Sequence, residues 1–193
     1  MKQKWNFLQK LGFLLLLASL LLLIGSELLN LRTQTRTAQF TEQILSRLPP
    51  PTEGDPVNYS NSVMPVLQSH GTDFVGLIEV PAYGIRLPIG SSWNQHTIPL
   101  YPCRFWGSAY DNSLIIGGSN KIGQFHFCTN LDLGEKIIFT DMEGTQFSYA
   151  VVRIDRREHA DMVSFQSADA DLTLFSRDTI SGDYVIVRCL LSH

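Results

Sequence analysis

Three cysteines in 193 residues, Cys103, Cys128 and Cys189, are too few for a disulfide scaffold and too widely spaced for a zinc or redox site. No metal and no cofactor are therefore implied. Positive charge is not in surplus either: 15 Lys and Arg against 18 Asp and Glu leave a formal net charge of -3. Nucleic-acid binding, which requires a basic face, is excluded on that ground. Charged residues make up only 17% of the chain, and no internal repeat or low-complexity tract interrupts it. Hydrophobic residues at 44% are enough to build one domain with a core once any targeting segment is set aside.

The longest apolar run is at the start. Lys2, Lys4 and Lys10 precede an uncharged, leucine-dominated stretch from Leu11 to Ser26, and apolar character resumes at Leu28, Leu29 and Leu31. Ile24-Gly25-Ser26-Glu27-Leu28 is a poor small-x-small cleavage site, so the reading is an uncleaved membrane anchor over 11–31 behind a basic cytoplasmic end, 1–10. The positive flank stays inside, which predicts a single-pass protein of the cell membrane with an extracellular C-terminal domain. Residues 32–73 read as a helical stalk that ends at Pro49-Pro50-Pro51, followed by a Pro-rich tether in which Val63 to Gln68 forms a short docking turn.

Beyond Asp73 the pattern changes to short β-rich runs between turn residues, the signature of a barrel or sandwich. Strands are predicted at Phe74 to Val80, Arg86 to Ile89, Ser113 to Gly117, Lys136 to Thr140, Gln146 to Ile154, Leu172 to Phe175 and Tyr184 to Leu190. Glu143-Gly144 and Ser181-Gly182-Asp183 fit hairpin turns. A helix is expected between Glu158 and Ala168.

Several of these runs carry motifs that resemble those of sortases. Gly76-Leu77-Ile78-Glu79-Val80-Pro81 is similar to the first strand of that family, and Leu87-Pro88-Ile89 to the Leu-Pro-Val that follows it. Leu131-Asp132-Leu133-Gly134-Glu135-Lys136-Ile137 resembles the Leu-x-x-Gly-Asp-x-Ile turn, and Gly144-Thr145-Gln146-Phe147-Ser148-Tyr149 the Gly-x-x-Phe-x-Tyr strand. Asn112 to Asn120 resembles the strand that ends in Gly-His-Asn, and Asp171 to Arg177 the strand that ends in Thr-Leu-x-Thr-Cys. The resemblance runs from Val75 to Cys189 and implies a mainly β fold, a sortase-like β-barrel with short helices, over 74–193. The helical stalk and the Pro102 to Ser108 run point to the class B-like sortases of Gram-positive bacteria.

Sortases cut a cell-wall sorting signal such as Leu-Pro-x-Thr-Gly. A thiolate attacks the scissile carbonyl, a histidine protonates the leaving amine, and an arginine steadies the peptide and the oxyanion. The resemblance puts Ser119 at the histidine position, Arg177 at the cysteine position and Tyr184, seven residues later, at the arginine position. A guanidinium has donors only and is no nucleophile, a serine hydroxyl does not titrate near neutral pH, and a phenol lacks the cationic fork. The expectation is an inactive homologue whose groove, formed by Ser119, Asn120, Thr173, Phe175, Arg177 and Tyr184, binds a sorting-signal peptide, or which assists an active sortase in surface-protein or pilus assembly. Two other readings stand beside it: a transpeptidase that uses a displaced Cys128 and His126, although Cys128 has no orienting partner in the sequence and reads first as a core cysteine, and a purely structural envelope component. Cys103 and Cys189 are either bridged or a pair of buried thiols, and His96 and His159 read as surface residues. Asp155-Arg156-Arg157-Glu158-His159, where sortases carry a recognition loop, reads as a solvated loop, with selection of a charged peptide as the alternative.

Overall fold

The structure is a computed structural model that describes residues 7–53, 63–69, 71–94, 96–160, 162–166, 169–178 and 181–192. It divides into two compact units, Met1–Arg36 and Thr37–His193. One helix, α1, runs from Phe7–Leu45. Its leucine-rich side chains from Leu11 to Ile24 are exposed. No helix among the described residues is long and apolar enough to cross a membrane.

Ten strands follow among the described residues: β1 Thr52–Glu53, β2 Leu67–Ser69, β3 Thr72–Val80, β4 Ile85–Gly90, β5 Cys103–Trp106, β6 Leu114–Ser119, β7 Lys136–Asp141, β8 Thr145–Arg157, β9 Leu172–Arg177 and β10 Tyr184–Leu191. The order β8-β10-β9-β6-β5-β4-β3 is closed by β7, which pairs with both β3 and β8. Eight strands therefore make a closed barrel, and closure leaves no edge among them. β1 and β2 are added outside the ring, on β8 and β3.

Alternation along the strands fills the barrel. In β8, Phe147, Tyr149 and Val151 point inward between half-buried neighbours; Leu172 and Leu174 of β9 and Val185, Val187 and Cys189 of β10 meet them in the same cluster. A second cluster lies elsewhere, where Ile44 packs with Phe74, Leu77, Tyr101 and Cys103. Ile44 is fully buried, which stabilises by roughly 1.5–3 kcal/mol relative to an exposed side chain. The end of the expected stalk is thus part of the folded unit. So are the Val63 to Gln68 turn, which becomes β2 with Met64 buried, and the start of the tether, which becomes β1; residues 54–62 of that tether lie outside the described residues.

The seven expected strands are present. β5 was not expected: it is four residues long, bonds β4 through the single pair Gly90 and Cys103, and is bulged against β6. The helix expected over 158–168 shrinks to α2, Met162–Phe165. The charged run 155–159 is not a free loop, because Asp155, Arg156 and Arg157 belong to β8 and pair with Ile186, Val185 and Tyr184. Both hairpin turns are where the glycines place them: Gly144 has φ +83° and Gly182 φ +80°. Asp141, fully buried, ties the first turn by accepting from the Glu143 and Thr145 amides, each at 2.8 Å, and from the Tyr110 hydroxyl at 2.6 Å.

Candidate functional site

Strands β6, β9 and β10 are buried on both faces. Their inner residues fill the barrel, while Ile115, Phe175 and Ile186 form an outer cluster with Phe165, joined by Phe105, Ala160 and Tyr184. Two adjacent glycines make room on opposite sides of β6. A Cβ on Gly117 would stand 2.2 Å from Trp93 and 2.4 Å from Phe175 on the outer face; one on Gly118 would stand 2.7 Å from Phe125 in the core. The outer face becomes the floor of a cavity of about 630 Å³.

Its walls are aromatic. Phe165 stacks on Phe175 at 3.9 Å between centroids, Phe105 meets both edge-on at 5.6 and 5.3 Å, and Trp93 lies 5.3 Å from Phe105 and from Phe175. Such contacts add about 0.5–1.5 kcal/mol per pair beyond burial and make a rigid apolar wall. Phe165 arrives on α2, and two carbonyls at the C-terminal end of that short helix take hydrogen bonds from a neighbouring strand. Buried Arg188 of β10 donates to the Ser164 carbonyl at 2.8 Å and the Phe165 carbonyl at 3.4 Å, and pairs with Asp155 at 3.3 Å. On the other side Gln124, also buried, donates to the Pro99 carbonyl at 2.9 Å and accepts from the Ser119 amide at 3.4 Å, joining the end of β6 to the Ile98-Pro99 wall.

The polar end of the cavity is a single row. Ser119 is opposite Arg177 in the parallel β6–β9 pair, and Arg177 is opposite Tyr184 in the antiparallel β9–β10 pair. With strands spaced about 4.8 Å apart, the row is about 10 Å long. All three residues line the cavity, as do Asn120 and Phe175, whereas Thr173, on the same face of β9, is buried and does not. Arg177 donates from Nε to the Gly182 carbonyl at 2.9 Å, and its guanidinium lies 5.8 Å from the Tyr184 ring centroid. Among the described residues it makes no ion pair.

None of the described residues that line the cavity is a cysteine or a histidine. Cys128 and His126 share the 3-10 turn Phe125–Thr129, but Cys128 is fully buried in the core and His126 is exposed, so they do not form a catalytic pair. Burial, with Cys189 nearby, pushes the Cys128 thiol well above its ordinary range, which removes the thiolate a nucleophile needs. Cys103 and Cys189 are free and lie in different clusters, so the open choice between a bridge and buried thiols falls to the latter. His96 and His159 are exposed as expected, and no group of three or more metal-ligating side chains occurs among the described residues.

Sequence reasoning missed Trp93, Phe105 and Phe165, which build the walls, and Arg188, which seats α2. The Gly117-Gly118 pair was the one available signal, since adjacent glycines in a strand mark close approach on both faces.

No family model matches the chain, and no curated protein does. Solved structures do. A Clostridium perfringens sortase D5 transpeptidase superposes with a TM-score of 0.55 at 21% identity, over 63% of this chain and 80% of that one. Clostridium perfringens sortase C, solved with the C-terminal cell wall sorting motif, gives 0.54 at 18% identity over 63% and 72%. Listeria monocytogenes sortase A gives 0.53 at 20% identity over 62% and 88%. What this chain shares with all three is the fold, the closed eight-stranded β-barrel of the sortases.

Proposed function

We propose that the chain is a membrane-anchored, extracytoplasmic homologue of the cell-wall transpeptidases that holds a peptide of the sorting-signal kind without cutting it. The observation that carries this reading is the row Ser119, Arg177 and Tyr184. Residues at the ends of three adjacent strands converge on one aromatic-walled cavity, yet they supply no thiolate, no titrating imidazole and no arginine at the Tyr184 position. Loss of even one member of a cooperating catalytic set costs several powers of ten in rate. A related fold solved with a sorting motif supports a peptide as the occupant. The class B-like assignment rests on the N-terminal helix and the Pro102 to Ser108 run; the sortases compared above are of classes D, C and A. The anchor reading rests on the lysines before Leu11 and the apolar run after it.

The test is transpeptidation by the full chain in detergent micelles, with sorting-signal peptides and an amine acceptor, read by mass spectrometry. The natural sequence is expected to give no acyl-enzyme and no product. The triple variant Ser119→His, Arg177→Cys, Tyr184→Arg is expected to form the acyl-enzyme. Turnover by the natural sequence would overturn the proposal.

A further inference from the structure

We propose that the cavity selects an acidic peptide: an extended segment with an apolar residue and, two positions away, an Asp or Glu whose carboxylate seats on Arg177. The inference rests on the peptide-binding reading above and specifies the chemistry of the ligand.

Arg177 is exposed and held in place. Its Nε donates to the Gly182 carbonyl at 2.9 Å and its guanidinium carbon lies 5.8 Å from the Tyr184 ring centroid, while among the described residues none takes a hydrogen bond from its terminal nitrogens. A pre-positioned guanidinium edge matches the two oxygens of a carboxylate better than any neutral group. Lys121 lines the same cavity and adds positive charge. The carboxylate among the described lining residues, Asp178, is tied into its own turn, with Oδ1 accepting from the Ser181 amide at 3.3 Å.

The spacing then sets the peptide pattern. Phe175 and Arg177 are alternate residues of β9 and lie on one face, roughly 6.5–7 Å apart. Alternate residues of any extended peptide have that same separation. A ligand lying along β9 with an apolar side chain against Trp93, Phe165 and Phe175 therefore brings its next same-face side chain over Arg177.

Fluorescence anisotropy of labelled, end-blocked peptides with the full chain in micelles tests this. The probes are a Leu-Ala-Glu-Ala core, its Gln, Lys and Ser-for-Leu versions, and a Leu-Ala peptide with a free C-terminal carboxylate. The Glu peptide is expected to bind at least about tenfold more tightly than the Gln peptide, as a charge-assisted hydrogen bond implies, and the gap is expected to narrow with salt. Arg177→Met is expected to abolish the gap, and Arg177→Glu to reverse it in favour of the Lys peptide. Equal, measurable binding of Glu and Gln peptides would leave the peptide groove standing and overturn the acidic selectivity, as would a gap that survives Arg177→Met. Preference for the free C-terminal carboxylate would assign Arg177 to a chain end and overturn the side-chain pattern. No binding of any peptide by the folded chain would overturn both readings.

Discussion

Cys128 and Cys189 lie in the barrel core, where desolvation disfavours the thiolate and pushes both groups up from their ordinary range. An unfolded chain ionises its thiols near about 8.5, whereas the folded chain keeps these protonated well beyond that. Above that pH the unfolded state binds fewer protons, so stability falls as pH rises, by up to about 1.4 kcal/mol per unit for each thiol; below it their contribution is flat. Tyr149, also pushed up by burial, adds to the slope only above about 10. Urea midpoints measured from pH 7 to 10 are expected to decline, and the pair Cys128→Ala, Cys189→Val is expected to flatten the decline. An identical slope in the variant would refute the assignment. Residue identity alone made the chemistry at 119, 177 and 184 legible, because what a serine, a guanidinium or a phenol can do does not depend on the fold. The burial of Cys128 was legible too, since a cysteine near a histidine with no third residue to orient the pair reads first as a small core side chain; what only the turn Phe125–Thr129 showed is that His126 faces away from it.

At the scale of elements, α2 is four residues long and too short to stand alone, since helix nucleation is costly. Arg188 compensates by satisfying its Ser164 and Phe165 carbonyls from the neighbouring strand. Arg188→Met is therefore expected to lower stability by about 1–3 kcal/mol, the range for losing hydrogen bonds from a buried charged donor, and to weaken peptide binding as Phe165 loses its seat. Arg188→Lys should recover part of the stability. Chemical denaturation alongside the peptide titration reads both effects, and an unchanged urea midpoint in Arg188→Met would refute the latch. Period-2 alternation located the strands that have one buried face or continuous apolar runs. It missed β5, which is four residues long, bulged against β6 and joined to β4 at one pair, too short and irregular for an alternation to show, and it stopped β8 short of Arg157 because the last three residues are charged yet paired to β10.

For the whole molecule, the N-terminal unit is expected to keep the full chain in the membrane fraction. After an alkaline carbonate wash the protein should remain in the pellet and leave it only with detergent; release by salt or carbonate would refute the anchor. The folded unit itself begins at Thr37, ahead of the predicted start at 74, because Ile44 and Met64 reach back onto the barrel.

The positions of seven strands, the turns at Gly144 and Gly182, and the side-chain chemistry available at three strand ends were determined by the sequence, since propensity, alternation and side-chain chemistry act over a few neighbouring residues. Tertiary structure alone decided the register that puts Ser119, Arg177 and Tyr184 directly opposite one another, that Trp93, Phe105 and Phe165 wall a cavity above them, and that Arg188 seats α2. Those outcomes depend on register between strands far apart in the chain, and a shift of one residue would turn every side chain to the other face.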